Sequence, residues 1–385
     1  ARACQRAAEL GIQDIELQFT GELLEKPLEL SAARLTIRAA SGHKPVLVFR
    51  PELTGSEGDK QMIRLKCGNS GKVLFQGVEL RMELPMESSF GWSLFAIHQM
   101  QSLELADCVL TIKDVGPAGV PMQTQVAFFA LQPRRVTDAM KMMEDDKGMM
   151  PAMGVNLNRC VARGDGTFLV ATEESPLKLT WTQGLLVTTQ RLIETEGSPL
   201  RPSEFGRRLD IDLDHVTAII PQGIYSMKRR AANAYQLKAD IRCRNSLLQT
   251  NADVPLFEFS DLASIDDVQL AFGGEGNLYP LANVAKGIFL RFKPSSRGEP
   301  TAEFPQDPKP QRWSTEERSQ AGIVWKQPVL NNAVPAYRQV PKSFLLDPES
   351  RNQAGFDPGV LPEPVEPPET PAEKLAEPAG EADGE

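Results

Sequence analysis

Val73-Leu74-Phe75-Gln76-Gly77-Val78-Glu79-Leu80 sets the pattern on which the chain is built: apolar, any residue, apolar, two of any kind, then a small or β-branched residue entering a new apolar run. The pattern returns as Leu103-Glu104-Leu105-Ala106-Asp107-Cys108-Val109, Val155-Asn156-Leu157-Asn158-Arg159-Cys160-Val161, Ile211-Asp212-Leu213-Asp214-His215-Val216-Thr217 and Ile241-Arg242-Cys243-Arg244-Asn245-Ser246-Leu247. The entry positions 78, 108, 160, 216 and 246 stand 30, 52, 56 and 30 residues apart. Those spacings read as one or two multiples of roughly 25–30 residues, the range that marks a solenoid.

Composition narrows the possibilities. The 385 residues are 41% apolar, enough for a core, and the net charge is −9. Residues 363–385 hold eight acids and one lysine, so most of the charge sits at the C-terminal end and the rest is near neutral. A near-neutral body lacks the clustered basic face that phosphates demand, which argues against nucleic acid as a partner. No apolar run approaches the ~18–20 residues of a bilayer span. Five cysteines at least 41 residues apart, with three His and no Cys-x-x-Cys, predict no metal site and no cofactor. Cys108 and Cys160 share the slot of Val78, Val216 and Ser246, so they read as small buried residues stacked repeat upon repeat.

Along the chain, residues 1–11 read as a short capping helix closed by Gly11. Short alternating runs without intervening helices then predict an all-β domain over 12–361. Residues 133–154, with six of the twelve Met, read as an insertion loop, either a mobile surface segment or an adaptable binding lip. Residues 362–385, rich in Pro and Glu and without an aromatic, are expected to be a disordered acidic tail. The opening Ala1-Arg2-Ala3-Cys4 has neither an initiator Met nor an apolar leader, so the expectation is a monomeric piece of a longer protein with a linked upstream domain.

The Ala-rich opening, Gly11, Ile15-Glu16-Leu17, Leu35-Thr36-Ile37-Arg38 and the ending Phe344-Leu345-Leu346-Asp347 through Gly355-Phe356-Asp357 to Leu361-Pro362 together resemble the right-handed parallel β-helix, or pectate-lyase-like, superfamily. The stretch from Asn156 to Val187, with Trp181 and Gly184-Leu185-Leu186, is similar to the β-helix region that follows serine/threonine kinase domains in some bacterial proteins. The chain has neither His-Arg-Asp nor Asp-Phe-Gly, so it is not itself a kinase domain. The resemblance implies a right-handed β-helix.

The sharpest chemical constellation is Arg208-Leu209-Asp210-Ile211-Asp212-Leu213-Asp214-His215. On a strand, alternation projects Asp210, Asp212 and Asp214 from one face about 7 Å apart. Paired carboxylates serve glycoside hydrolysis, and acids can hold the Ca²⁺ of a lyase. His215 completes a candidate catalytic set, and Arg242, Arg244 and Trp181 are candidate binding residues. Two readings follow: a non-catalytic scaffold presenting its flank to a polysaccharide or protein partner, or a polysaccharide lyase or glycoside hydrolase acting through the outward acids, with Ca²⁺ only in the lyase case.

Overall fold

The computed structural model describes residues 2–51, 60–85, 91–114, 125–132, 152–171, 176–196, 208–228, 238–280, 287–294, 300–305, 312–316, 322–326, 334–347 and 354–367. Helix α1 (Arg2–Leu10) ends at Gly11, whose φ of +67° is the left-handed turn that glycine adopts most easily, and α1 buries Ala7 against the strands that follow.

Strands then succeed one another in threes: β1 (Asp14–Leu17), β2 (Gly21–Glu25), β3 (Leu28–Leu30); β4 (Arg34–Ala39), β5 (Pro45–Phe49), β6 (Gln61–Lys66); β7 (Lys72–Gln76), β8 (Glu79–Glu83), β9 (Ser93–Gln99); β10 (Ser102–Ala106), β11 (Val109–Lys113), β12 (Ala127–Leu131). In the next three repeats the first two strands merge into one: β13 (Met153–Gly164) with β14 (Thr167–Ala171), β15 (Leu177–Thr188) with β16 (Ile193–Glu196), and β17 (Arg208–Ile219) with β18 (Tyr225–Lys228). β19 (Lys238–Arg244), β20 (Leu247–Gln249), β21 (Phe257–Leu262), β22 (Leu270–Glu275), β23 (Ile288–Pro294) and β24 (Ala302–Pro305) complete the series. Strands pair in parallel with their counterparts in the next repeat, giving three faces; among the described strands β23 and β24 pair antiparallel, and Trp325 and Leu346 form an antiparallel bridge. The fold is therefore all-β with parallel sheets.

The bend between the first and second faces explains the sequence pattern. In successive repeats a single left-handed residue stands there: Gly77, Asp107, Arg159, Gln183, His215, Asn245 and Gly276. The residue after it points inward, giving a column of Val78, Cys108, Cys160, Gly184, Val216, Ser246 and Asn277. The 52-residue spacing is one lengthened repeat, since β10 pairs directly with β13. The 56-residue spacing is two repeats, because Gly184, which departs from the small or β-branched pattern by having no side chain, occupies the entry position between Cys160 and Val216. A side chain there is excluded by Trp181, whose Nε1 would lie 1.9 Å from an added Cβ.

Inside, like residues stack. Phe95 lies on Phe129 with ring centroids 5.2 Å apart, and Phe168 on Trp181 at 4.9 Å. Cys108 and Cys160 are fully buried free thiols in the shared column, each donating to a carbonyl of the preceding repeat, Phe75 and Leu105 respectively.

Two expected boundaries move. Met153 and Gly154 belong to β13, where they pair with Leu177 and Lys178, so they are strand and not insertion; residues 133–151 lie outside the described residues. The body also extends past Leu361. Val365 bonds through its main chain to Glu79, Arg81 and Arg163, whose buried charged groups need partners beyond one another, and Pro367 is buried. Residues 368–385 lie outside the described residues.

Candidate functional site

On β17 alternation works as expected. Leu209, Ile211 and Leu213 are buried, and Asp210, Asp212 and Asp214 face outward, half-buried. The register places Asp210 between Lys178 and Asp240, Asp212 between Thr180 and Arg242, and Asp214 between Thr182 and Arg244. The acids do not converge. Arg244 Nη2 donates to Asp212 Oδ1 at 3.2 Å, Arg242 Nη2 to Asp240 Oδ2 at 3.4 Å, and His215 Nδ1 lies 2.9 Å from Asp214 Oδ1. Lys178, Asp210, Asp212, Asp240 and Arg242 line a recess of about 140 Å³. Towards the N-terminus the same face continues through Thr180, Thr182, Asn156 and Asn158, a polar shelf without an aromatic. Among the described residues no three His, Cys, Asp or Glu side chains gather as a cation would require.

Trp181 is not a surface platform. It is fully buried, stacked on Phe168 beneath Gly184, so it serves the core and cannot stack on a ligand. The neighbouring repeats carry Leu157 and Leu213 at its register, which identifies this as a core column. His215 is the left-handed bend residue of its repeat, half-buried at the edge of a recess of about 540 Å³ that Lys326 and Phe356 also line.

A second acidic pair lies elsewhere. Asp114 and Asp165, 2% and 6% exposed, sit where the second face turns towards the third, on the wall of a cavity of about 400 Å³ also lined by Arg191 and Gln222. The Asp114 backbone N–H donates to Asp165 Oδ2 at 3.3 Å. Burial pushes the Asp165 carboxyl up to about 7, and the charge of Asp114 acts in the same direction. Arg191 Nη2 donates to Gln222 Oε1 at 3.2 Å, while its Nε faces Glu194 and its Nη1 faces Glu258, both at 3.7 Å. These acids are 51 residues apart in sequence, and only the direct pairing of β11 with β13 brings them together. The signal was the 52-residue spacing, once read as a single repeat.

Compared with protein-family models, curated proteins and solved structures, the chain finds no match.

Proposed function

We propose that the chain is a right-handed parallel β-helix of the pectate-lyase-like kind, serving as the non-catalytic binding arm of a larger bacterial protein and gripping a polysaccharide along its first face. The observation that carries this reading is the ladder on β15, β17 and β19. Two of its acids are tied to separate arginines, Asp212 to Arg244 diagonally across neighbouring strands and Asp240 to Arg242 along β19, and hydroxyl and amide side chains continue the row, as suits a hydroxyl-rich polymer lying along the face. Isothermal titration of neutral and uronic-acid polymers tests it. Binding that falls at least tenfold in Asp212→Ala/Arg242→Ala, without release of reducing ends or unsaturated product, supports the proposal, and robust turnover by the unmodified chain sinks it.

Carbohydrate cleavage is favoured as a second reading by Asp114 and Asp165, not by β17. A carboxyl that keeps its proton towards neutral pH, as Asp165 does, can supply the acid of glycoside cleavage. If Asp165 is the acid, turnover is lost in Asp165→Asn. The same residue gives a stability prediction. Its folded-state value of about 7 lies above the ordinary one, so the folded state holds a proton that the unfolded state releases. Stability therefore falls as pH rises from about 4 to about 7. Denaturation at several pH values should show Asp165→Asn flattening that slope and exceeding wild type at pH 8.

A further inference from the structure

On the outer side of the second face, four charged side chains are out of water: Glu79 at 5% exposure, Arg81 at 0%, Lys113 at 5% and Arg163 at 1%. Charges buried so deeply are costly unless each is paired and hydrogen-bonded. They satisfy one another in part. Arg81 Nη2 donates to Glu79 Oε1 at 2.8 Å, Arg81 Nη1 pairs with Glu22, and Arg163 Nε donates to Thr111 Oγ1 at 3.2 Å. Further bonds reach across more than 200 residues to the main chain of one residue. The Val365 N–H donates to Glu79 Oε2 at 2.7 Å, and the Val365 carbonyl accepts from Arg81 Nη2 and Arg163 Nη2, both at 2.9 Å. Arg163 Nη1 donates to the Gln339 carbonyl at 3.0 Å, and Arg338 faces Glu366 at 3.5 Å.

We propose that Glu79, Arg81 and Arg163 form a peptide-binding site that reads the main chain of an extended, acidic, proline-flanked segment, with Pro362–Pro367 of this chain as its exchangeable occupant. The site recognises a donor and an acceptor of the backbone, and the Val365 side chain makes none of these bonds. Pro364 and Pro367 suit it because each fixes φ near −65° and carries no N–H to compete. Glu366 suits it because the surrounding Arg81, Arg163, Lys113 and Arg338 outnumber the acids Glu79, Glu22 and Glu83. Tethering holds the resident segment at high effective concentration, so a free peptide of the same chemistry competes poorly until the resident is weakened.

The test uses the full chain and a fluorescein-labelled peptide of residues 360–370, followed by anisotropy. Val365→Pro removes the donor to Glu79, so the variant chain should bind the labelled peptide at least tenfold more tightly than the wild-type chain does. A Val365→Ala chain should behave as wild type. A peptide with Pro at the Val365 position should fail to bind the Val365→Pro chain, whereas one with Ala there should bind as the natural sequence does. Equal binding by the wild-type and Val365→Pro chains, no binding by either, or equal binding of the Pro and Val peptides overturns the proposal. Circular dichroism of each chain confirms that the comparison is between folded proteins.

Discussion

The twelve residues of β15 cross from one kind of surface to another, and the two halves follow different rules. In Leu177-Lys178-Leu179-Thr180-Trp181-Thr182 every second side chain is buried and the others meet solvent. In Gly184-Leu185-Leu186-Val187-Thr188 all are buried. Leu186 faces the interior with Leu80, Leu110 and Ala218, while Leu185 and Val187 face outward beneath Phe344, Phe356 and Leu361. Alternation is the mark of a strand with water on one side, and an unbroken apolar run marks a strand covered on both. Val46-Leu47-Val48-Phe49 follows the second rule from the start of the chain. Around Val109, Val161, Leu185, Val187 and Ile219 the second face is therefore a layer between the interior and the C-terminal segments, whereas on the first face the outward side chains of β15 meet solvent.

The widest separation between the halves should come from one substitution made twice. Leu185→Asp places an unpaired carboxylate under the C-terminal cover and should cost on the order of 3–5 kcal/mol. Thr180→Asp, five residues earlier, should cost less than about 1 kcal/mol even with Asp212 alongside. Urea denaturation of both variants checks this, and equal losses would break the distinction between the faces. At the seam, Gly184→Ala drives a methyl into the Trp181 ring and should cost on the order of 1–3 kcal/mol. A drop in Trp fluorescence anisotropy order alongside the lost stability would sharpen the assignment to Trp181. The smallest effect should be Asp212→Asn on the wet face. Its ion pair with Arg244 is half exposed, so the change should lie within about 0.5 kcal/mol in urea while still weakening polymer binding.

Much of this was legible in the residues. The repeat spacing, the inward Leu209, Ile211 and Leu213, the buried Cys108 and Cys160 and the alternating first-face strands all follow from periodicity, which reports solvent directly. What was hidden depended on distant partners. Trp181 resembles a ligand platform until its register with Leu157 and Leu213 is known. Glu79, Arg81 and Arg163 resemble solvated charges, because nothing local signals that Val365 will come to lie over them. Asp114 and Asp165 stay unconnected until the insertion between them is recognised as an interruption within one repeat. Composition likewise assigned residues 362–367 to the tail, since a main chain held by buried charges needs no apolar side chains of its own.

The left-handed bend has a consequence for how such a chain can change length. From β7 onward this corner spends one residue with positive φ and one in the inner column, seven times over, whereas three residues separate β1 from β2 and five separate β4 from β5. At the other two corners the linkers differ widely: between the second and third faces, 11 residues separate β5 from β6 and 13 separate β11 from β12, while β13 and β14 are two apart; between the third and first faces, 21 separate β12 from β13 and five separate β14 from β15. Insertions and grafted loops therefore belong at those two corners, where an added residue leaves every strand register untouched. One residue added beside Gln183 would instead displace the inner column and turn the rest of its strand inside out.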